Sequence, residues 1–488
     1  MQHSKRYIPL AFLFLLANTG CAVNPVTGKQ DIVFMSEQEE ITIGRNTHQQ
    51  VLQQYAVYDV HKLQAYVENI GKKLAANSHR QDLIYRFTVL DSREVNAFAL
   101  PGGYIYITRG LMSYLNSEAE LAAVLGHEIG HVTARHAVRQ YSAAQLANIG
   151  ATLGAIFIPG MNTQTSNVLV QLFGTALLRG YGRDHELEAD QLGAEYLARS
   201  GYNPQAMLDV IRVLKNQELF EMQAARAEGR EPNIYHGVFS THPDNDTRLQ
   251  EVISNANRYY KPAQAFYGRE EYLQMIDGMA FGDSTREGIT RGNNFYHADL
   301  DFTLRLPRYW NVTNRPDQLI ITAHGGGAIM QLVVEDINKR IPPREFIQSR
   351  LGLRLSHDQA LNINDLQAHT GLASINTSFG RRTARITTIY HKDRAFTLVG
   401  VAKEPETAAD YDRYFLETAQ TFHAMTENER LLAQPLRLKI TQAESNTRFS
   451  ALAKESPLEF FPEEQLRLIN AIYPQGEPQT GMLIKVIE

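Results

Sequence analysis

A predicted helix with two histidines four residues apart is the feature that most constrains how this 488-residue chain folds. The motif His127-Glu-Ile-Gly-His131 places both imidazoles on one face, one turn apart, because an α-helix advances about 100° per residue. The capping box Ser117-Glu-Ala-Glu120 predicts where that helix begins. His136 would lie about 180° round the same helix from His127, so we expect it on the helix surface or behind a ligand, outside any ion site that the other two form.

Two imidazoles at this spacing suit a divalent metal ion, and Glu128 lies beside the first of them. A catalytic zinc ion takes three protein ligands and leaves one position for water. A neighbouring carboxylate that does not bind the ion then serves as the base. The pattern therefore predicts His127 and His131 as ligands and Glu128 as base, and it requires a third ligand elsewhere in the chain.

The stretch 183–190 offers that third ligand. Glu186 and Asp190 are four residues apart and share a helix face, whereas Glu188 points roughly 200° away from Glu186 and His185 about 100° away. We assign Glu186 to the metal and Asp190 to a hydrogen bond that fixes the tautomer of a ligand imidazole. The alternative for an acidic cluster is a solvated helix face, and the histidine motif favours the metal.

Together, His127-Glu-Ile-Gly-His131 and Glu186-Leu-Glu-Ala-Asp190 resemble the M48 family of zinc metalloproteases, which are of the gluzincin type. The segments Asn24-Pro-Val-Thr-Gly-Lys29 and Met35-Ser-Glu-Gln-Glu39 are similar to the periplasmic lipoprotein branch of that family, and the resemblance covers about residues 22–260. Within the branch, the chain looks most like proteases that assist outer-membrane β-barrel assembly and degrade stalled barrels. It departs from the best known of them in having no tetratricopeptide-type period of about 34 residues.

The resemblance also implies roles for two further segments. Asn96-Ala-Phe-Ala-Leu-Pro-Gly-Gly103 matches the family's strand on the substrate side, so Asn96 and Ala97 are expected to pair with an extended substrate backbone. Ser240-Thr-His-Pro243 matches a segment whose histidine approaches the metal. His242 would then either steady the oxyanion or cap the zinc and keep the enzyme latent.

The N-terminus predicts a targeting segment. A short basic stretch precedes an apolar run over residues 8–17, too short to span a bilayer, and the only cysteine of the chain follows at Cys21. This arrangement resembles a bacterial lipoprotein signal: residues 1–20 would be removed, Cys21 lipidated and the protein anchored to the outer membrane on its periplasmic side. Ala22, rather than Asp, follows the cysteine, and the resemblance then implies sorting to the outer membrane over retention in the inner membrane. A plain signal peptide is the alternative.

The chain is too long for a single hydrophobic core, so we predict a multidomain protein. We expect a mainly α (α+β) zincin-type metallopeptidase domain over residues 21–282, an α+β domain of unknown role over 283–433, and a small βααβ domain over 434–488. Residues 282–294 predict a linker. The apolar block 143–180 predicts two short helices, for core packing or as a membrane-dipping hairpin. Residues 434–488 resemble a LysM domain, which implies peptidoglycan contact; a structural cap is the alternative.

These patterns predict a zinc-dependent endopeptidase of the bacterial envelope, with one Zn²⁺ per chain. It would cleave unfolded or misassembled outer-membrane proteins by Glu128-assisted attack of zinc-bound water. The implied partners are those proteins, the β-barrel assembly machinery and peptidoglycan, whereas a net charge of −5 gives no basic surface for nucleic acid. The alternative is a lipid-anchored chaperone or peptidoglycan-binding adaptor with a latent metal site, which would have no need of Glu128.

Overall fold

The computed structural model describes residues 21–143, 182–228, 265–315, 318–377 and 379–488 of the chain. The predicted helices in the block 143–180 lie outside these residues, apart from residue 143, and so does His242. In the described part of the chain, no helix is both long and apolar enough to cross a lipid bilayer.

The first region packs helices around a three-stranded sheet. In that sheet, β5 (Tyr104–Thr108) lies between β3 (Arg86–Leu90), which is parallel to it, and β4 (Ala97–Leu100), which is antiparallel. Pro101 lies in the turn before β5, so it does not interrupt the central strand. The other elements, in chain order, are β1 (Cys21–Val23), β2 (Gln30–Ile32), α1 (Glu37–Gln54), α2 (His61–Ala75), α3 (Arg109–Tyr114), α4 (Glu118–Thr133), α5 (Arg183–Arg199), α6 (Ala206–Glu228), α7 (Arg269–Ile276) and β6 (Ala280–Phe281).

Two helices of the first region, α1 and α4, begin at serine caps, and the cap of α4 is the one that the sequence predicts. At α1, Ser36 and Glu39 form the reciprocal capping box. At α4, the Ser117 side chain accepts a hydrogen bond from the Glu120 backbone N–H, but the Glu120 carboxylate accepts from the Asn116 N–H at 2.7 Å instead of closing the box. Both arrangements satisfy N–H groups that have no partner within the helix.

The contact between α4 and α5 is unusually close because glycines face each other across it. A Cβ atom at Gly130 would lie 2.8 Å from the Ala189 carbonyl oxygen, and one at Gly193 would lie 2.9 Å from the His127 backbone nitrogen. Every residue of α4 from 119 to 133 is buried, so this helix forms the centre of the region. Its histidines are therefore held directly against the acidic residues of α5.

The middle region is an antiparallel β structure with a helix on one face. Seven strands pair in the order β10 (Asn311–Arg315), β11 (Gln318–Thr322), β12 (Ala328–Asp336), β16 (Arg394–Ala402), β15 (Gly380–His391), β14 (Leu366–Thr377) and β13 (Ser356–Ile363). A smaller sheet has the order β7 (Ile289–Arg291), β8 (Asn294–His297) and β9 (Phe302–Arg305). In its core, Phe302 stacks on Phe422 and meets Phe396 edge-on. The helices of this region are α8 (Pro343–Ser349), α9 (Ala408–Gln420) and α10 (Glu427–Leu432).

Strands β15 and β16 form a hairpin through Lys392, and one expectation for this region is wrong. Residues 282–294 were expected as a linker, but they contain β7, which pairs with β8. The sequence analysis also missed β13, an edge strand whose side chains are mostly exposed and polar. Such a strand has no alternation of apolar residues to mark it.

The C-terminal region has the predicted order of strand, helix, helix and strand. These are β17 (Leu436–Gln442), α11 (Phe449–Glu455), α12 (Pro462–Ile469) and β18 (Leu483–Ile487). Strand β17 pairs with β18 and also with β6 of the first region. Phe449, Leu466 and Ile469 belong to the same buried apolar cluster as residues of α2 and α4. The resemblance to a LysM domain stays a prediction.

Lys485 joins the C-terminal region to the helices of the first region. Its Nζ donates to the carbonyl oxygens of Ser113 and Leu115, at 2.8 Å each, and its side chain is fully buried. These carbonyls lie at the C-terminus of α3, where no later turn of helix supplies an N–H. Burial lowers the pKa of the Lys485 amine well below its usual value, while Glu120 opposes that shift.

Replacing Lys485 by alanine should destabilise the fold by about 3 kcal/mol or more, because two buried carbonyl groups lose their donor and the lysine stem leaves a gap. Urea unfolding of the purified chain, followed by tyrosine fluorescence and circular dichroism, measures the loss. The matched control is Lys439→Ala on the neighbouring strand, where the lysine is 55% exposed and pairs with Glu488. The two variants should differ clearly; equal unfolding midpoints would contradict a structural role for Lys485.

Candidate metal centre

Two imidazoles and one carboxylate meet where α4 packs on α5. The Nε2 atoms of His127 and His131 are 2.9 Å apart. Glu186 Oε2 lies 3.4 Å from His127 Nε2 and 3.7 Å from His131 Nε2. All three side chains are buried, and their donor atoms are close enough together to bind one metal ion.

The donor set fits a tetrahedral zinc ion. Zinc bonds to histidine nitrogen and carboxylate oxygen at about 2.0–2.1 Å, so ligand atoms round a tetrahedral ion stand about 3.3 Å apart. The three separations here, from 2.9 to 3.7 Å, bracket that value. Two imidazoles with one glutamate also leave a fourth position for water, as catalytic zinc requires.

Each ligand imidazole is held through its other ring nitrogen. Asp190 Oδ1 lies 2.8 Å from His127 Nδ1, and His136 Nδ1 lies 2.8 Å from His131 Nδ1. Asp190 thus occupies the position that the sequence analysis expected, one turn after Glu186 on α5. Such contacts set the tautomer of a ligand histidine and raise its basicity.

The expectation that His136 continues the helix of His127 is wrong. Helix α4 ends at Thr133, Arg135 adopts a left-handed φ of 53° that interrupts the helix, and residues 136–143 are helical again. Of the two places expected for it, His136 takes the one behind a ligand: it is fully buried and lies against His131, not on a helix surface. The residues from 133 to 136 contain neither glycine nor proline, so no local signal marked this helix end.

The electrostatics of the pocket favour a cation. Burial opposes charge on His127, but the hydrogen bonds that its ring donates to the Asp190 and Glu186 carboxylates raise its pKa to about 10. Burial raises the pKa of Glu128 to about 8, and nearby Glu186 adds to the shift. Within the described part of the chain, Glu128 Oε1 is buried and has no hydrogen-bond partner. A bound dication would compensate this concentration of carboxylates.

Strand β4 lies against α4 at the edge of its sheet. It pairs with β5 on one side, and no strand among the described residues pairs with its other side. Asn96, just before β4, is buried, and its backbone N–H donates to Thr108 Oγ1 at 3.1 Å. Ala97 is buried within the strand. Their roles in substrate binding stay predictions, as do those of His242 and Cys21.

The sequence analysis missed a layer of residues behind His131. Glu188, expected to point away from the metal, accepts hydrogen bonds from His136 and Arg139. His185 stacks on His136, with ring centroids 4.5 Å apart. These residues come together through the turn after α4, which only the three-dimensional structure reveals.

A sequence profile of peptidase family M48 matches residues 61–256. That span contains His127, Glu128, His131, Glu186 and Asp190. Residues 61–256 form an M48 peptidase domain. The family resemblance stated for the histidine and acidic motifs is thus confirmed, and the M48 domain takes in both α4 and α5, the helices that meet at the candidate metal centre.

The relatives that share the M48 domain are proteases by name. The chain is 30% identical over 237 residues to the beta-barrel assembly-enhancing protease of Escherichia coli K12, covering 47% of this chain and 46% of that protein. The Yersinia pestis protein of the same name is 32% identical, over 40% of this chain and 39% of its own length. The mitochondrial metalloendopeptidase OMA1 of Schizosaccharomyces pombe is 27% identical, over 47% of this chain and 64% of its own length. The chain thus spans less than half of the two bacterial relatives.

Among solved structures, a cyanobacterial PsbP matches 28% of this chain and 95% of its own length, at 8% sequence identity and a TM-score of 0.23. A similarity this low does not extend to function.

Asp190→Asn should weaken zinc binding about 10- to 100-fold, because the amide holds His127 without a negative charge and can present its NH₂ group to Nδ1. Competition with a chromophoric chelator measures the dissociation constant. Asp184→Asn is the matched control, since Asp184 lies exposed in the first turn of the same helix. Equal zinc affinity in the two variants would show that Asp190 does not support the ligand.

Proposed function

We propose that the chain is a zinc-dependent endopeptidase of the bacterial envelope that cleaves unfolded or misassembled outer-membrane proteins. One observation carries the proposal: a buried glutamate, Glu128, adjoins three donors that fit one zinc ion, inside an M48 domain. A structural zinc site is usually closed by four protein ligands, whereas three donors leave one position for water. An additional buried carboxylate beside them is what proton transfer requires.

The proposed mechanism divides the work among five residues. His127, His131 and Glu186 would hold the zinc, and Asp190 would hold His127 in the tautomer whose Nε2 is bare. When bound there, zinc supplies a Lewis acid for the scissile carbonyl and lowers the pKa of the attacking water. Glu128 takes the proton of that water and passes it to the amine that leaves when the peptide C–N bond breaks.

Extended, unfolded chains are the proposed substrates. Strand β4 contacts α4 and has no strand partner on one edge among the described residues, so we infer that a substrate strand added there would run along the helix that carries His127 and His131. Only a segment that exposes several extended residues can pair in this way. The names of the two bacterial relatives support outer-membrane β-barrel proteins as the substrate class and the β-barrel assembly machinery as a partner.

For location, we propose the periplasmic face of the outer membrane, with lipidated Cys21 as the anchor. The support is the order of basic residues, apolar run and single cysteine at the N-terminus. Peptidoglycan contact by residues 434–488 belongs to the same proposal. Growth of cells with radiolabelled palmitate would detect the lipid, and Cys21→Ser should remove the label; a label that persists contradicts the anchor.

Glu128→Gln should lower the rate of cleavage about 10²- to 10⁴-fold while leaving one zinc ion bound, because the base is lost and the ligands are kept. An unfolded β-barrel protein serves as substrate, mass spectrometry reads the products, and metal analysis counts the zinc. Glu68→Gln is the control, since Glu68 is 41% exposed on α2. Chelation of zinc should abolish cleavage by the wild type and its re-addition should restore it.

Cleavage by a zinc-free protein, or undiminished cleavage by Glu128→Gln, would contradict the mechanism. If the wild type binds zinc and cleaves nothing, His242→Ala separates two explanations. A latent enzyme capped by His242 becomes active in that variant. An adaptor or chaperone with a latent metal site stays inactive, and the endopeptidase proposal then fails.

A further inference from the structure

The two ligand histidines are supported in different ways. His127 meets a carboxylate directly, at Asp190. His131 meets a second histidine, because its Nδ1 lies 2.8 Å from Nδ1 of His136. A contact between two ring nitrogens is a hydrogen bond only when one nitrogen carries the hydrogen and the other does not.

Metal binding decides which nitrogen carries that hydrogen. The Nε2 of His131 faces His127 Nε2 and Glu186 Oε2, so it must be bare to bind an ion. A neutral imidazole then has its hydrogen on Nδ1, and His131 donates to His136. His136 in turn must accept at Nδ1 and carry its own hydrogen on Nε2.

The outer side of His136 matches this requirement. Its Nε2 lies 3.1 Å from Glu188 Oε2, and a carboxylate only accepts. Arg139 Nη1 donates to the same oxygen at 2.6 Å, which fixes the carboxylate in place. The two hydrogen bonds therefore run in one direction. His131 donates to His136, and His136 donates to Glu188.

The fold also fixes the ring of His136. The left-handed residue Arg135 breaks the helix just before His136, and its Nε donates to the buried Glu40 carboxylate at 2.8 Å. The His185 ring stacks on His136 with an interplanar angle of 19°. His136 is thus held by its backbone turn, by one ring face and by both nitrogens.

We propose that His136 is the positioning residue of the metal centre, and that Glu188 and Arg139 hold it in the one tautomer that orients His131 for zinc. This inference rests on the proposed function in one respect, that the ion is bound through Nε2 of both histidines. It assigns to Glu188 an effect on zinc affinity, although Glu188 touches no zinc ligand directly in the contacts above.

The test measures zinc dissociation constants of the full chain by chelator competition, together with the visible absorption spectrum of the Co²⁺-loaded protein, which reports ligand geometry. His136→Ala should weaken zinc binding about 10- to 100-fold and alter the cobalt spectrum. His136→Gln, whose amide oxygen accepts from His131 Nδ1–H, should recover most of the affinity and the spectrum. Glu188→Ala should weaken zinc binding by a smaller factor, in the same direction.

Glu195→Ala is the matched control. Glu195 lies on the same helix about 10 Å beyond Glu188 and pairs with Arg199, so its removal deletes an equivalent ion pair away from the metal. It should leave both readouts unchanged. The thermal unfolding midpoint of each metal-free variant shows whether a change in affinity only follows a loss of fold.

Wild-type affinity and spectrum in His136→Ala overturn the proposal. So does an affinity loss that parallels the loss of thermal stability and is not recovered in His136→Gln. If His136→Ala does not fold, the zinc affinity and cobalt spectrum of Glu188→Ala are compared with those of Glu195→Ala. Equal values in the two variants then overturn the proposal. A wild type that binds zinc but cleaves no protein refutes the proposed function and leaves this comparison valid, whereas a wild type that binds no zinc refutes both.

Discussion

The close contact between α4 and α5 is the constraint on which the metal centre depends. Glycines at 126, 130 and 193 let the two backbones approach to a distance that any Cβ atom at 130 or 193 would prevent. At that distance, a carboxylate of α5 lies within 3.4 Å of a histidine of α4. A larger residue at either position would separate the helices, and the ligands would lose their common centre although each would keep its place on its own helix.

Burial of the carboxylates strengthens their attraction for a cation, and it also costs folding free energy. Glu128, Glu186 and Asp190 are all removed from water beside two imidazoles, and buried charges are unfavourable unless they are paired. In the metal-free protein, burial opposes charge on His127 but the Asp190 and Glu186 carboxylates raise its pKa, and burial raises the pKa of Glu128. A dication at the three donors relieves the repulsion between the carboxylates, so metal binding and the stability of this part of the fold are coupled.

Local patterns in the sequence predicted most of what one helix or one hairpin determines by itself. The start of α4, the shared face of His127 and His131, and the shared face of Glu186 and Asp190 follow from helix geometry, and all agree with the structure. Features that depend on contacts distant in sequence were missed. His136 was expected on a helix that in fact ends three residues earlier, and Glu188 was set aside although the turn after α4 brings His136 onto it. Strand β13 was missed because its edge position allows polar residues on both faces.

The most direct test of the account is a crystal structure of the zinc-loaded protein, with anomalous diffraction measured on both sides of the zinc absorption edge. The account predicts one anomalous peak, within about 2.0–2.2 Å of His127 Nε2, His131 Nε2 and a Glu186 carboxylate oxygen. His136 should be at hydrogen-bond distance from His131 Nδ1 and not bonded to the ion. A peak bound by other residues, or its absence at these three donors in a protein that retains zinc, would contradict the central claim.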